Sequence, residues 1–155
     1  MEPRGVLATF DKVTQRYTAH LGCQGIHVTR KRLSQILGVQ EENVRVISRD
    51  VGGGFGSRSF TYPEYAAILW ASGKLKLPIK WIATRSEDFY SANQGRDYVL
   101  RGTLGLNAKG DFLALKVSGV CNLGAYVAGS SPFTALRNVT RMLAGVYKTP
   151  NHQAY

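Results

Sequence analysis

Four glycines fall among the five residues Gly52-Gly53-Gly54-Phe55-Gly56, and nothing else in this chain constrains its backbone so tightly. An apolar, β-branched run (Val44, Val46, Ile47) leads into them, and a helix pattern beginning near Thr61 leads out. Such a cluster after a strand requires a backbone that reaches φ > 0 or lies too close to another group for a side chain. If Gly54, at its centre, has φ > 0, its replacement by alanine is costly through strain. Phe55 has little apolar company along the chain, so its ring is expected to face something specific. Strand, glycine loop and helix in succession let backbone N–H groups converge on an anion or an oxo group. A tight turn with no ligand is the plain alternative.

The flanks supply the scaffold. Gly5 to Phe10 and Tyr17 to Leu21 read as a hairpin around Asp11-Lys12-Val13-Thr14-Gln15. Leu33, Ile36 and Leu37 share a helix face between Ile26 and Leu37, with Gly38 as the stop. Val44 to Ser48 is the strand that delivers the loop. Thr61-Tyr62-Pro63-Glu64 has the form of a capping box, and Tyr65 to Ala71 is apolar nearly all round. That helix is therefore expected to be buried on most sides and to end at Gly73. Ile79 to Thr84 is a further strand. Tyr98–Leu106 and Phe112–Asn122 form a long hairpin across Asn107-Ala108-Lys109-Gly110-Asp111. Gly124-Ala125-Tyr126 closes it, and a loop with Ser130, Ser131 and Pro132 leads to a short helix carrying Leu136, Val139, Met142 and Leu143. Thr149 to Tyr155 shows no recognisable terminal element. The order is neither regular βαβ alternation nor all-β, so the fold class is α+β with a mixed sheet, two main helices and hairpins, read as one piece over residues 1–155.

Charge narrows the partners. Lys and Arg number 20 against 10 Asp and Glu, a formal net charge of +10. The basic residues are spread along the chain, with one block at Arg30-Lys31-Arg32, and no aromatics are interleaved among them in the manner of RNA-binding surfaces. No nucleic-acid partner is expected. An anionic cofactor or an acidic protein partner remains open. No apolar run approaches the roughly 20 residues of a membrane span, and no signal-peptide pattern opens the chain. Cys23 and Cys121 lack metal-type spacing, which favours a reduced, cytoplasmic setting.

The usual owners of glycine loops fit badly. The dinucleotide pattern GxGxxG ends on Ser57 or Ser59 instead of glycine, and no acidic residue lies about 20 positions on. The phosphate-loop pattern reads GGGFGSRS, with Ser57 and Arg58 where glycine and lysine belong. His20, His27 and His152 have no nucleophile at a known spacing, and read as surface or turn histidines. Glu87-Asp88 after Arg85 reads as a local ion pair or cap. Cys23 reads as a small buried residue. No catalytic residue and no protein metal ligand is assigned. A phosphate- or nucleotide-binding module, or a basic domain docking an acidic partner through Arg30-Lys31-Arg32, is the alternative reading.

Together these motifs resemble the molybdenum-cofactor-binding large chain of the xanthine dehydrogenase, aldehyde oxidase and carbon monoxide dehydrogenase family. The residues that carry the resemblance are Glu2-Pro3-Arg4-Gly5, Gln24 (31 residues before Phe55), Val44-Arg45-Val46 through the GGGFG run, and Tyr62-Pro63-Glu64. Ile79-Lys80-Trp81, Arg85-Ser86-Glu87-Asp88, Gly95-Arg96 and Asn122-Leu123-Gly124-Ala125-Tyr126 continue it.

The resemblance implies part of a molybdenum-cofactor-binding domain of an oxidoreductase, whose cofactor is a molybdenum–molybdopterin group. It implies that Gln24 hydrogen-bonds an oxygen ligand of molybdenum. It also implies that Gly54, Phe55 and Gly56 bring backbone close to the cofactor, with the Phe55 ring facing the cavity. A neutral amide donates to an oxo group without adding charge, and glycine-flanked backbone approaches where a side chain collides. The implied partners are the rest of the large subunit, iron–sulfur and FAD subunits or domains, and a second copy in a homodimer. Two departures qualify this. Ser57-Arg58-Ser59 replaces the Gly-Lys and acidic residue of purine-oxidising relatives, which points away from a purine substrate. The family's downstream arginine loop, other pterin loops and general-base glutamate have no counterpart here, so the chain is expected to be an inactive fragment without bound cofactor. Its unneutralised charge then belongs to surfaces that face missing neighbours.

Overall fold

The computed structural model describes residues 2–93, 95–125, 127–129 and 133–155. Two compact units divide the chain, Met1–Asn93 and Gln94–Tyr155. Tyr126 and the loop at Ser130, Ser131 and Pro132 lie outside the described residues.

In the first unit, β1 (Gly5–Asp11) and β2 (Arg16–Leu21) form the expected hairpin, paired from Val6↔Leu21 to Asp11↔Arg16. Its turn is held by the Asp11 carboxylate, which accepts the N–H groups of Val13 (2.8 Å) and Thr14 (2.9 Å). Helix α1 (Ile26–Leu37) crosses back so that β3 (Val44–Ile47) pairs parallel to β2. Gly38 stops α1 in the left-handed conformation at φ 68°. Then α2 (Pro63–Leu75), β4 (Ile79–Ile82) and α3 (Arg85–Ser91) follow, β4 lying antiparallel to β1. The sheet order is β3-β2-β1-β4. Because side chains alternate along a strand, Val6, Ala8, Ala19, Leu21 and Val44 share the buried face. Leu33 of α1 and Tyr65 and Leu69 of α2 close over it.

Three details of α2 and its neighbours differ from expectation. Thr61 is not its cap: Tyr62 holds that position with no side-chain bond, and Pro63 supplies the first turn. Glu64, the expected partner in a capping box, is drawn instead to Arg4 at 3.1 Å. The capping box is found at α3, where Thr84 Oγ1 accepts the Glu87 N–H (3.2 Å) and the Glu87 carboxylate accepts the Thr84 N–H (2.6 Å). Nor does Gly73 end α2, which runs on to Leu75 with Lys76 left-handed at φ 60°. A β-carbon on Gly73 would stand 2.4 Å from the Tyr17 hydroxyl, so this glycine admits a ring. The helix is also buried on one side only, with Trp70 57% exposed and Leu75 64% exposed.

The second unit is a three-stranded sheet ordered β5-β6-β7. β5 (Asp97–Leu106) and β6 (Phe112–Asn122) make the expected long hairpin, with a bulge at Gly105/Leu106. Asn107 builds its turn by accepting the N–H groups of Lys109 (2.8 Å) and Asp111 (2.9 Å). A π turn at Phe133–Arg137 runs into the short helix α4 (Asn138–Arg141). The terminal segment does form an element: β7 (Asn151–Ala154) pairs parallel to β6. Its residues carry no alternating apolar signal, and the backbone of β6 recruits them. The α+β class stands, with two mixed sheets in place of one. Among the described residues no helix is long and apolar enough to cross a membrane.

Candidate functional site

Parallel pairing of β2 and β3 sets the site. It brings the C-terminal ends of both strands to the same end of the sheet, so Gln24, three residues beyond β2, meets the glycine loop that follows β3. The Gln24 N–H donates to the Arg58 carbonyl (3.0 Å), and the Arg58 N–H donates to the Gly54 carbonyl (3.2 Å). A β-carbon on Gly54 would lie 2.4 Å from both Cγ and Cδ of Gln24. Glycine at 54 is therefore a matter of space, because the Gln24 side chain occupies the volume a methyl would need. Positive φ is absent at Gly54 and falls at Gly53 (102°), Phe55 (50°) and Gly56 (82°), so of the two readings of the glycine run Gly54 follows close approach. Phe55 is the unusual member, since a bulky residue rarely adopts that conformation and does so only where its surroundings impose it.

The surroundings are visible. Ser57–Ser59 forms a 3-10 turn directly after Gly56, with the Ser59 N–H on the Gly56 carbonyl at 3.1 Å. The Ser57 hydroxyl donates back to the Gly54 carbonyl (3.1 Å), and the Tyr62 hydroxyl donates to the Ser57 carbonyl (3.0 Å). The backbone is held while the Phe55 ring is left 84% exposed. No described residue hydrogen-bonds the side-chain amide of Gln24. A hydrogen-bonded turn thus carries an exposed ring, glycine backbone and, packed against Gly54, an amide with spare donors.

Sequence reasoning missed what anchors the turn. Arg58 is 3% exposed, and its Nη2 donates to the Glu2 carbonyl and to the Pro3 carbonyl (3.2 Å), with the Glu2 carboxylate 3.5 Å away. Glu2 also accepts the Gly52 N–H at 3.3 Å. Glu2 is held below the usual carboxylate range, first by its own backbone N–H and then by Gly52 and Arg58 against partial desolvation. Arg4, also 3% exposed, lies 4.0 Å over the Tyr62 ring and reaches Glu64 and the Ser91 hydroxyl (2.5 Å). The Asp88 carboxylate accepts the Arg4 backbone N–H at 3.1 Å and pairs with its guanidinium at 3.4 Å. Glu87 therefore makes the expected cap, whereas the ion pair of Asp88 is a long-range one with Arg4 and not the local pair expected. Burial pushes the Tyr65 phenol up to about 12, while the charge on Arg58 pulls it the other way. The available signal was a lone Arg4 just before the first strand and Arg58 just after a glycine run.

The remaining candidates separate cleanly. Arg58 cannot serve as a phosphate-loop cation, because its guanidinium is buried against carbonyl groups of the chain's first residues. The block Arg30-Lys31-Arg32 is split, Arg30 pairing with Glu41 at 3.4 Å and Arg32 donating to the Ser59 carbonyl at 3.4 Å. His20, His27 and His152 are exposed. Cys23 is half-buried and donates its N–H to the Ser48 hydroxyl (3.3 Å). Among the described residues, no group of three or more His, Cys, Asp or Glu side chains gathers where a metal ion could sit.

Known proteins resemble this chain in sequence and fold. A family model described as the molybdopterin cofactor-binding domain matches residues 1–155. The carbon monoxide dehydrogenase large chain of Hydrogenophaga pseudoflava is 33% identical over 150 residues, covering 97% of this chain and 19% of that protein. The xanthine dehydrogenase molybdenum-binding subunit of Escherichia coli O157:H7 is 30% identical over 102 residues, covering 66% of this chain and 14% of that one. Among solved structures, quinoline 2-oxidoreductase from Pseudomonas putida 86 superposes with a TM-score of 0.92 at 28% identity, over 99% of this chain and 20% of that one. The chain spans about a fifth of the length of the relatives it matches most fully.

Proposed function

The chain belongs to the molybdopterin cofactor-binding domain family of molybdenum-dependent oxidoreductases, and from that premise we propose that Gln24 and the turn Gly54-Phe55-Gly56 form one wall of the cofactor cradle. The observation that carries this reading is the Gln24 side chain lying against the Gly54 α-carbon, where a single methyl would displace it. The residues fit the group. An amide with unused N–H donors suits an oxygen ligand, glycine backbone permits close approach, and an exposed aromatic ring suits a wall of the reaction cavity. No protein metal ligand is needed, because a metal carried on a pterin brings its own coordination.

When bound, the molybdenum–molybdopterin group supplies the redox chemistry, oxidising a substrate with oxygen drawn from water. This chain's residues bind and orient. Gln24 would donate an N–H to an oxygen of the group, held in register by its own backbone bond to Arg58. The backbone at Gly54 to Gly56 would lie beside it. Phe55, held at positive φ, would keep its ring toward the substrate space and exclude water. No side chain here is assigned a proton-transfer role. Arg58 is spent on the Glu2 and Pro3 carbonyls, which supports a substrate other than a purine.

The parent enzyme in this reading is a large subunit that passes electrons to iron–sulfur and FAD partners in the cytoplasm, as a homodimer of such assemblies. The 155-residue chain alone supplies one wall of the site, so it is inactive and holds no stoichiometric molybdenum; about one molybdenum per purified chain overturns that statement. The cradle is tested in the full-length subunit by pterin content. Gln24→Ala and Gly54→Val should lower the bound pterin while leaving the subunit folded, and full occupancy in both would remove the assignment.

A further inference from the structure

Strand β3 is an outer strand of its sheet. Among the described residues it pairs with β2 alone, so its other edge carries backbone donors and acceptors with no strand beside them. A shallow depression of about 90 Å³ lies beside this strand. Its floor is apolar, made by Ile26, Val44 and Val46, and the other side chains lining it are Arg16, His27, Arg30 and Arg45. Arg45 alternates with Val44 and Val46, so it stands on the sheet face opposite the one that carries α1. Arg30 and His27 rise from α1 itself. Positive charge therefore flanks the edge on both faces.

Two further features point outward. The Nε of Arg30 is buried and finds no acceptor among the described residues, although its Nη2 pairs with Glu41. The first turn of α1 has no acidic residue and no side-chain cap, which leaves the positive end of its dipole uncompensated beside His27. Edge strands are commonly guarded by charge alone. A guard has no use for an open apolar floor or for a guanidinium nitrogen left without an acceptor.

We propose that the β3 edge receives an acidic extended segment of a partner, which adds beside Val44–Ile47 through backbone hydrogen bonds. Side chains of an added strand alternate between its faces, so carboxylates at every second position reach Arg45 and Arg16 on one face, and the positions between them fall on the face of Arg30 and His27. Apolar side chains between them cover the floor. The four-residue length of β3 limits the ladder, and the charges supply the selectivity.

The test uses the 155-residue chain and a fluorescent octapeptide alternating Glu and Val, beside the same peptide with Lys for Glu. Anisotropy should detect the acidic peptide alone, with affinity falling at least about tenfold in Arg30→Glu/Arg45→Glu and falling steeply with added salt. Arg16→Gln/Arg45→Gln, at exposed positions, gives a milder loss with an unchanged melting curve. Hydrogen exchange of amides 44–47 should slow on binding. Equal binding of both peptides, no binding of either, or displacement by inorganic phosphate with no change in exchange at 44–47 would each overturn the proposal.

Discussion

The two units of this chain are stabilised in different ways. In the first, Val6, Ala8, Ala19, Leu33, Val44, Tyr65 and Leu69 are all buried between sheet and helices. In the second, Thr149 alone among the described residues is buried, and the sheet leaves Leu100 52%, Leu104 45% and Leu106 50% exposed. One unit has a core. The other has backbone pairing and a half-covered apolar face, which is the condition of a sheet built to receive another layer. The glycine turn sits in the unit with the core, whose packing is available to hold Phe55 in its strained conformation.

Truncation makes the largest difference between them. Leu69→Ala should destabilise the first unit by about 2–5 kcal/mol, whereas Leu104→Ala, at a half-exposed position, should cost under about 1 kcal/mol. Residue-resolved hydrogen exchange in denaturant reads both. Comparable losses at the two sites would break the contrast.

A smaller effect sharpens the picture inside the first unit. Gly54→Ala should cost about 1–3 kcal/mol by forcing a methyl into Gln24, and Gln24→Ala in the same chain should recover most of it. A double-mutant cycle on thermal melts measures that coupling. Additive costs would mean the two residues do not share the space. The smallest effect is in alkali. Tyr65 is raised from 10.0 to about 12 by burial, so the folded state holds a proton that the unfolded state releases. The stability it contributes is complete below pH 10 and is lost as pH rises toward 12. Tyr65→Phe should flatten the stability curve within that window and leave it unchanged at neutral pH. A parallel loss in both proteins would assign the alkaline transition to other groups.

Much of this was legible before any coordinates. The alternation in β1, β2, β5 and β6 and the Gly38 stop speak through period and turn chemistry. GGGFG after a strand and Gln24 after its neighbour were singled out together, and the structure brings the two side by side. The failures have physical causes. The choice between positive φ and close approach at Gly54 stayed open because a glycine can mean conformation or space, and only the position of Gln24 distinguishes them. Glu64 was placed in a cap because local pattern hides a long-range claim on it by Arg4. Gly73 was taken for a stop because no sequence rule shows Tyr17 packing against it. β7 was missed because its polar residues are ordered by the strand beside them. The outer face of α2 was taken as buried because apolarity shows that a surface wants cover, without showing which chain supplies it.

The assignment of Gln24 and the Phe55 turn to the cofactor is tested most directly by titrating the isotope-labelled chain with isolated molybdenum cofactor under anaerobic conditions, watched by amide NMR. Weak, fast-exchanging shifts should concentrate on the Gln24 side-chain amide and the backbone amides of Gly54, Phe55 and Gly56. Shifts gathered elsewhere, or a spectrum unchanged at those four residues, would contradict the cradle.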